Sequence, residues 1–218
     1  MCFSANASFT SAVILTGIGV ACVKLTFSNK QIFLAVIPFG FALQQVLEGF
    51  VWLNFNNSSH AGWQPFLVSS FLIFSHIIWP IYIPFSIYFL EKNLKRKPAL
   101  KILLALGLIL SAYHIYSLLM FSVSASVNQH HIRYTIGHPD LLLIPGSIIY
   151  GVATIIPAFI STVPRMWWMG VFIFVSYLFT YLFYRSYSIS VWCFVATAMC
   201  VIIYLILLRS RRLSILQN

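Results

Sequence analysis

The sequence predicts an all-α integral membrane protein, a single domain over residues 1–218 built as a bundle of seven transmembrane helices. Three observations carry that expectation. Only 7% of the 218 residues are charged and 61% are hydrophobic, where a soluble domain carries roughly 25% charged residues. Mean hydropathy is +0.93. Seven apolar runs of about 20 residues, the length that crosses a bilayer core, are joined by short connections. So few charges cannot coat a water-facing surface of this size, whereas lipid accepts an apolar one.

The runs are 7–27, 32–54, 65–90, 99–123, 141–161, 167–184 and 189–208. Brief connections make sequential helices antiparallel neighbours. The net charge of +10 comes from 13 Lys and Arg against Glu48, Glu91 and Asp140. With the N-terminus outside and the C-terminus cytoplasmic, Lys24, Lys30, Lys92, Lys95, Arg96, Lys97, Lys101, Arg165, Arg209, Arg211 and Arg212 fall on the inner side. Arg133 and Arg185 fall outside. That asymmetry follows the positive-inside rule and needs all seven spans. It accounts for the basic excess, and no polar stretch interleaves basic and aromatic residues, so nucleic-acid binding is rejected. Residues 1–16 hold no Lys or Arg and therefore lack the basic start of a signal peptide. Cys22, Cys193 and Cys200 sit in apolar runs as small hydrophobes, and no CxxC is present. Asn6-Ala7-Ser8 matches a glycosylation sequon, relevant only in a eukaryotic secretory pathway.

Placing the polar residues span by span gives the candidate site. In the second span Glu48 lies about 9 Å from the outer end at 1.5 Å per residue. Gln44 and Gln45 lie one turn earlier on its face. The third span puts His76 about 15 Å deep, with Pro80 and Pro84 following to bend or open the backbone. In the fourth, His114 is about 13 Å deep and is flanked by Ser111 and Ser117. Gly146, Ser147 and Gly151 let the fifth pack closely. The sixth, short and aromatic, presents Tyr177, Tyr181 and Tyr184 at helical spacing. His60, His130, His131 and His138 fall in outer loops, and Asp140 reads as an N-cap.

Ionisable groups inside a membrane face the bundle interior and mark function. The expected site is an outward-open cavity lined by Gln44, Gln45, Glu48, His76, Ser111, His114, Tyr177 and Tyr181, lidded by the loop of His130 to His138. Imidazole and carboxylate suit zinc, copper or iron. His76, His114, His138 and Glu48 are the candidate metal ligands. Glu48 is alternatively a general base, and Cys2, if Met1 is removed, an N-terminal nucleophile. The activity expected of such a centre is zinc-dependent hydrolysis of a lipid or other amphipathic substrate. One alternative is a transporter or ligand-binding receptor that uses Glu48 and the histidines for a cation or proton. Another is a copper or haem-b protein with His76 and His114 as axial ligands.

Three motifs carry a resemblance: Met1-Cys2-Phe3-Ser4-Ala5, Gln44-Gln45-Val46-Leu47-Glu48-Gly49-Phe50-Val51-Trp52, and Trp79-Pro80-Ile81-Tyr82-Ile83-Pro84-Phe85-Ser86. Together they resemble an uncharacterised family of bacterial multi-spanning membrane proteins. The resemblance implies that the N-terminus and Glu48 matter, and it supplies no activity. In helix count and orientation the chain is also similar to the seven-helix zinc hydrolases of the alkaline ceramidase and adiponectin-receptor superfamily. It departs from them in its last helix, which has no HxxxH, and at Leu72, where they carry a Ser.

Overall fold

A computed structural model describes residues 4–56, 62–128, 131–137 and 143–216. Helix α1 (Ala5–Leu25) starts at Ser4, whose hydroxyl accepts from the Ala7 amide at 3.2 Å. Its buried stripe, Ala5, Ser8, Ala12, Leu15, Gly19 and Cys22, recurs every three or four residues and packs on α3 (Ile37–Asn56). Gly19 lies under the Phe39 ring, and Gly49 of α3 lies under Phe9. Those two contacts set α1 and α3 antiparallel.

The expected second span is two helices, α2 (Asn29–Ala35) and α3, interrupted at Val36. Pro38 explains the break. It has no amide hydrogen to continue the ladder, and its ring disfavours a helical predecessor. The third span is α4 (Gln64–Leu72), a π-helical stretch (Ile73–Ile78) and α5 (Trp79–Leu90). Next come α6 (Lys97–Met120), α7 (Leu143–Ile160) and α8 (Met166–Phe183). A 3-10 turn (Arg185–Tyr187), α9 (Ser188–Thr197) and α10 (Met199–Leu216) complete the chain. Six of these units are long and apolar enough to cross a membrane. The protein is therefore a multi-pass helical membrane protein. In α7 the apolar helix Pro145–Ile160 is shorter, about 24 Å at the helical rise, against a hydrocarbon core of about 30 Å.

The segment after α6, expected to be a loop, is instead a β-hairpin: β1 (Val123–Asn128) pairs antiparallel with β2 (His131–Ile136), Val123 opposite Ile136. Alternation explains it. Ile132 and Tyr134 are buried while Arg133 and Thr135 are exposed, the period-two pattern of a half-buried strand. Tyr134 stacks on Phe71 of α4 at 4.5 Å between centroids. Gln64 donates to the Ala125 carbonyl at 3.2 Å. The hairpin is thus bolted to one end of the bundle, called here the hairpin end.

The opposite end carries the basic residues. There the Glu91 carboxylate accepts from the Thr162 amide at 2.6 Å, the Thr162 hydroxyl and the Asn93 amide at 2.7 Å. Arg96 donates to the Ile160 carbonyl. These bonds latch the α5–α6 turn to the α7–α8 turn. Burial by itself raises the Glu91 carboxyl, but the hydrogen bonds from Thr162 and Asn93 outweigh it and hold the group below the usual carboxylate range.

Candidate functional site

The site begins with Pro80. In the π-helical stretch the Trp79 amide bonds to the Phe74 carbonyl, five residues back. The next bond in that register would join residue 80 to the Ser75 carbonyl, and proline has no hydrogen to give. Tyr150 of α7 takes its place, its hydroxyl donating to the Ser75 carbonyl at 2.7 Å. Ser111 of α6 donates to the Ile77 carbonyl at 2.9 Å. Two neighbouring helices thus satisfy backbone groups that the wide turn exposes, the condition for irregular backbone at membrane depth. Gly107 of α6 makes the close approach possible: a β-carbon there would fall 2.0 Å from the Pro80 carbonyl oxygen.

This packing brings His76 of the π-helical stretch against His114 of α6. Their rings meet edge to face, centroids 4.7 Å apart and planes at 83°. The Ser75 hydroxyl lies 2.8 Å from His76 Nδ1. His114 is buried against Tyr113, ring centroids 5.4 Å apart.

The two imidazoles line a cavity of about 500 Å3 bounded by Tyr113, Tyr150, Trp192, Tyr177, Tyr181 and Arg185 among others. It lies in the cleft between α7 and α8. Those helices meet tightly near the basic end, where Gly170 sits under the Phe159 ring, and the cavity lining reaches Arg185, Ser188 and Ile189, in segments that pack against β2 of the hairpin. Trp192 of α9 forms one wall, held by Nε1 donating to Ser176 at 3.1 Å and by edge contacts with Tyr150 and Tyr177. Arg185 stands at the mouth over the Tyr181 ring, 5.5 Å from its centroid.

Glu48 belongs to a different cluster. It is fully buried, with Ser190 of α9 donating to Oε1 at 2.6 Å and Gln45 donating to Oε2 at 3.5 Å. The first is a short contact between buried groups. Gln44 accepts from Trp79 Nε1 at 2.7 Å. Gln44 Nε2 and Gln45 Oε1 have no hydrogen-bond partner among the described residues. Cys193 lies beside Gln44 and Glu48 and also lines the cavity, so α9 separates the two groups by one side chain.

The structure therefore brings His76, His114, Tyr177 and Tyr181 together and leaves Gln44, Gln45, Glu48 and Ser111 out of the cavity lining. Ser111 works on the backbone instead. Cys2, His60, His130, His138 and Asp140 lie outside the described residues. His131 is packed between Tyr184 and Tyr187 at 5.2 and 5.1 Å. Among the described residues no group of three or more His, Cys, Asp or Glu is arranged to hold a metal. Haem with His76 and His114 as opposed axial ligands does not fit, because rings in edge contact at 4.7 Å leave no layer for a porphyrin. Tyr150, Trp192, Arg185, Ser190 and Cys193 are not among the expected site residues; the sequence marks Arg185 only as an outer-side charge and Cys193 as a small hydrophobe. Tyr150, Trp192 and Ser190 were legible only as polar or aromatic residues within or at the ends of apolar runs.

Fold and cavity together define a multi-pass membrane protein with a deep, aromatic-walled pocket between its helices. The chain belongs to a Family of unknown function (DUF6629), whose model matches residues 1–217. That agrees with the resemblance to an uncharacterised family and extends it over nearly the whole chain. No curated protein and no solved structure matches.

Proposed function

We propose that the protein is an outward-facing ligand-binding protein of the bacterial inner membrane, a receptor or carrier that takes a small amphipathic molecule into the cavity between α7 and α8. In this reading α7 is a seventh span, the basic end is cytoplasmic by the positive-inside rule, and the hairpin caps the outer side. The carrying observation is the cavity itself, whose aromatic-walled lining includes two histidines from separate helices in ring contact. Its volume falls within the 300–1,000 Å3 range of small-molecule sites, and its mixture of apolar walls and few polar groups is typical of them. His76, with the Ser75 hydroxyl on one ring nitrogen, and His114 beside it can accept or donate hydrogen bonds to the ligand's inner end. As adjacent imidazoles they can also pass a proton along it.

The test is native mass spectrometry of protein taken gently from membranes. Wild type should carry a small amphiphile that Gly146→Phe, which fills the cavity wall, does not. Identical spectra from both proteins would sink the proposal.

A second reading, supported by the same histidine pair, is a zinc or copper site leading to hydrolysis of a lipid. His76 and His114 would supply two nitrogens, and a catalytic zinc needs a third protein ligand. Glu48 bonds Ser190 and Gln45 in the other cluster, so that ligand would be His138 or Cys2. Zinc titration followed by elemental analysis distinguishes the readings: stoichiometric metal lost in both His76→Ala and His114→Ala favours the enzyme.

A further inference from the structure

The proposed binding reading leaves the chemical class of the ligand open, and the cavity mouth carries information about it. Among the described residues lining the cavity, Arg185 bears the only formal charge. Glu48 is buried in its own cluster and Glu91 is latched at the basic end. No described carboxylate pairs with Arg185, whose described partner is the face of Tyr181. A guanidinium over an aromatic ring, 5.5 Å from its centroid, spends none of its N–H donors on a carboxylate and can offer them to a planar or tetrahedral anion. The adjoining N-terminus of α9 favours the same sign of charge. Ser188 and Ile189 of its first turn line the cavity, and no side chain caps it.

Beyond Arg185 the walls are Tyr177, Tyr181, Tyr150 and Trp192, and His76 and His114 share the lining. From Tyr177 to Phe183, where α8 ends, is about 9 Å at the helical rise, and Arg185 follows in the 3-10 turn. A ligand matching this profile has one acidic head and an apolar body of about that length, which is charged at one end only.

We infer that Arg185 selects an amphipathic anion, its carboxylate or phosphate head at the mouth and its apolar body against the tyrosines. This rests on the cavity reading above, and the experiment separates the two. The probes are a dansyl-tagged hexanoic acid, its methyl ester and the matching amine, titrated by fluorescence into protein held in nanodiscs of uncharged lipid. Wild type should bind the acid about tenfold to a hundredfold more tightly than the ester, the weight of a charge-assisted contact. Arg185→Gln should equalise acid and ester. Arg185→Glu should prefer the amine. Arg133→Gln, which removes the exposed cation of β2, should leave the acid preference intact.

Acid preference surviving in Arg185→Gln, or falling equally in Arg133→Gln, overturns the role of Arg185. So does wild-type binding of ester and acid alike. Binding of no probe by wild type, with the same silence in Gly146→Phe, overturns the cavity reading and this inference with it.

Discussion

Gly107→Ala is the sharpest perturbation of the frame that holds the two histidines. Alanine is the better helix former by about 1 kcal/mol, so propensity alone makes the variant more stable. Packing reverses the sign. The new β-carbon would lie 2.0 Å from the Pro80 oxygen and 2.8 Å from its carbonyl carbon. A carbon and a carbonyl oxygen approach no closer than about 3.3 Å even in a weak hydrogen bond. Helices α5 and α6 must therefore part by roughly 1.3 Å, the shortfall against that contact distance. Both partners are backbone, so no rotamer change relieves the clash. Overpacking of this kind costs about 1–3 kcal/mol, and here the upper end applies. After the propensity gain, a net loss of about 2 kcal/mol remains, worth about 4–8 °C in melting temperature for a chain of this size. The assay is thermal melting in detergent, read by loss of the monodisperse peak on size exclusion. A Gly107→Ala protein that melts at or above wild type would refute the close α5–α6 contact and the placement of His76 against His114.

Tyr150→Phe removes the donor to the Ser75 carbonyl and should cost about 1–3 kcal/mol for the stranded acceptor. Pro80→Ala restores a backbone hydrogen in that region, so the double variant should lose less than the two single losses added; strict additivity in melting experiments would contradict the substitution of Tyr150 for the missing amide. The Glu91 carboxyl is held below its ordinary value, so its stabilisation is full above about pH 4.3 and fades as pH falls further. The melting-temperature gap between wild type and Glu91→Gln should therefore be flat from pH 7 to about 4.5 and close below it. A gap unchanged at pH 3 would argue against the latch. Tyr134→Ala should loosen the hairpin from Phe71 at a cost approaching the ~3–5 kcal/mol of an aromatic deletion, seen as protease cleavage within Val123–Ile136 while the helices stay intact.

The spans were readable because apolar length is a local property. The break at Val36 was also written in the chain, as Pro38. The hairpin was present as alternation in Val123–Asn128 and His131–Ile136, but its histidines drew attention as a lid and the period was passed over. Pro80 announced an irregular turn near His76, and the structure has one. What spacing could not supply was adjacency. Glu48 and His76 lie on successive spans, yet which side chains meet depends on packing between distant segments. Here α9 brings Ser190 to Glu48, and α6 brings His114 to His76. Tyr150 was invisible for the same reason, since its value lies in a carbonyl 75 residues away.

The most direct measurement is thiol labelling at the histidine pair in the cavity lining. In a background lacking Cys2, Cys22, Cys193 and Cys200, single variants His114→Cys and Ile115→Cys are exposed in intact cells to a negatively charged, membrane-impermeant methanethiosulfonate. His114 lines the cavity, whereas Ile115, one residue on, is 44% exposed on the bundle's outer surface. The account predicts labelling at His114→Cys, slowed by the dansyl-tagged acid, and none at Ile115→Cys, which faces lipid. An unreactive His114→Cys alongside a folded, monodisperse protein would contradict an outward-open cavity reaching the histidine pair.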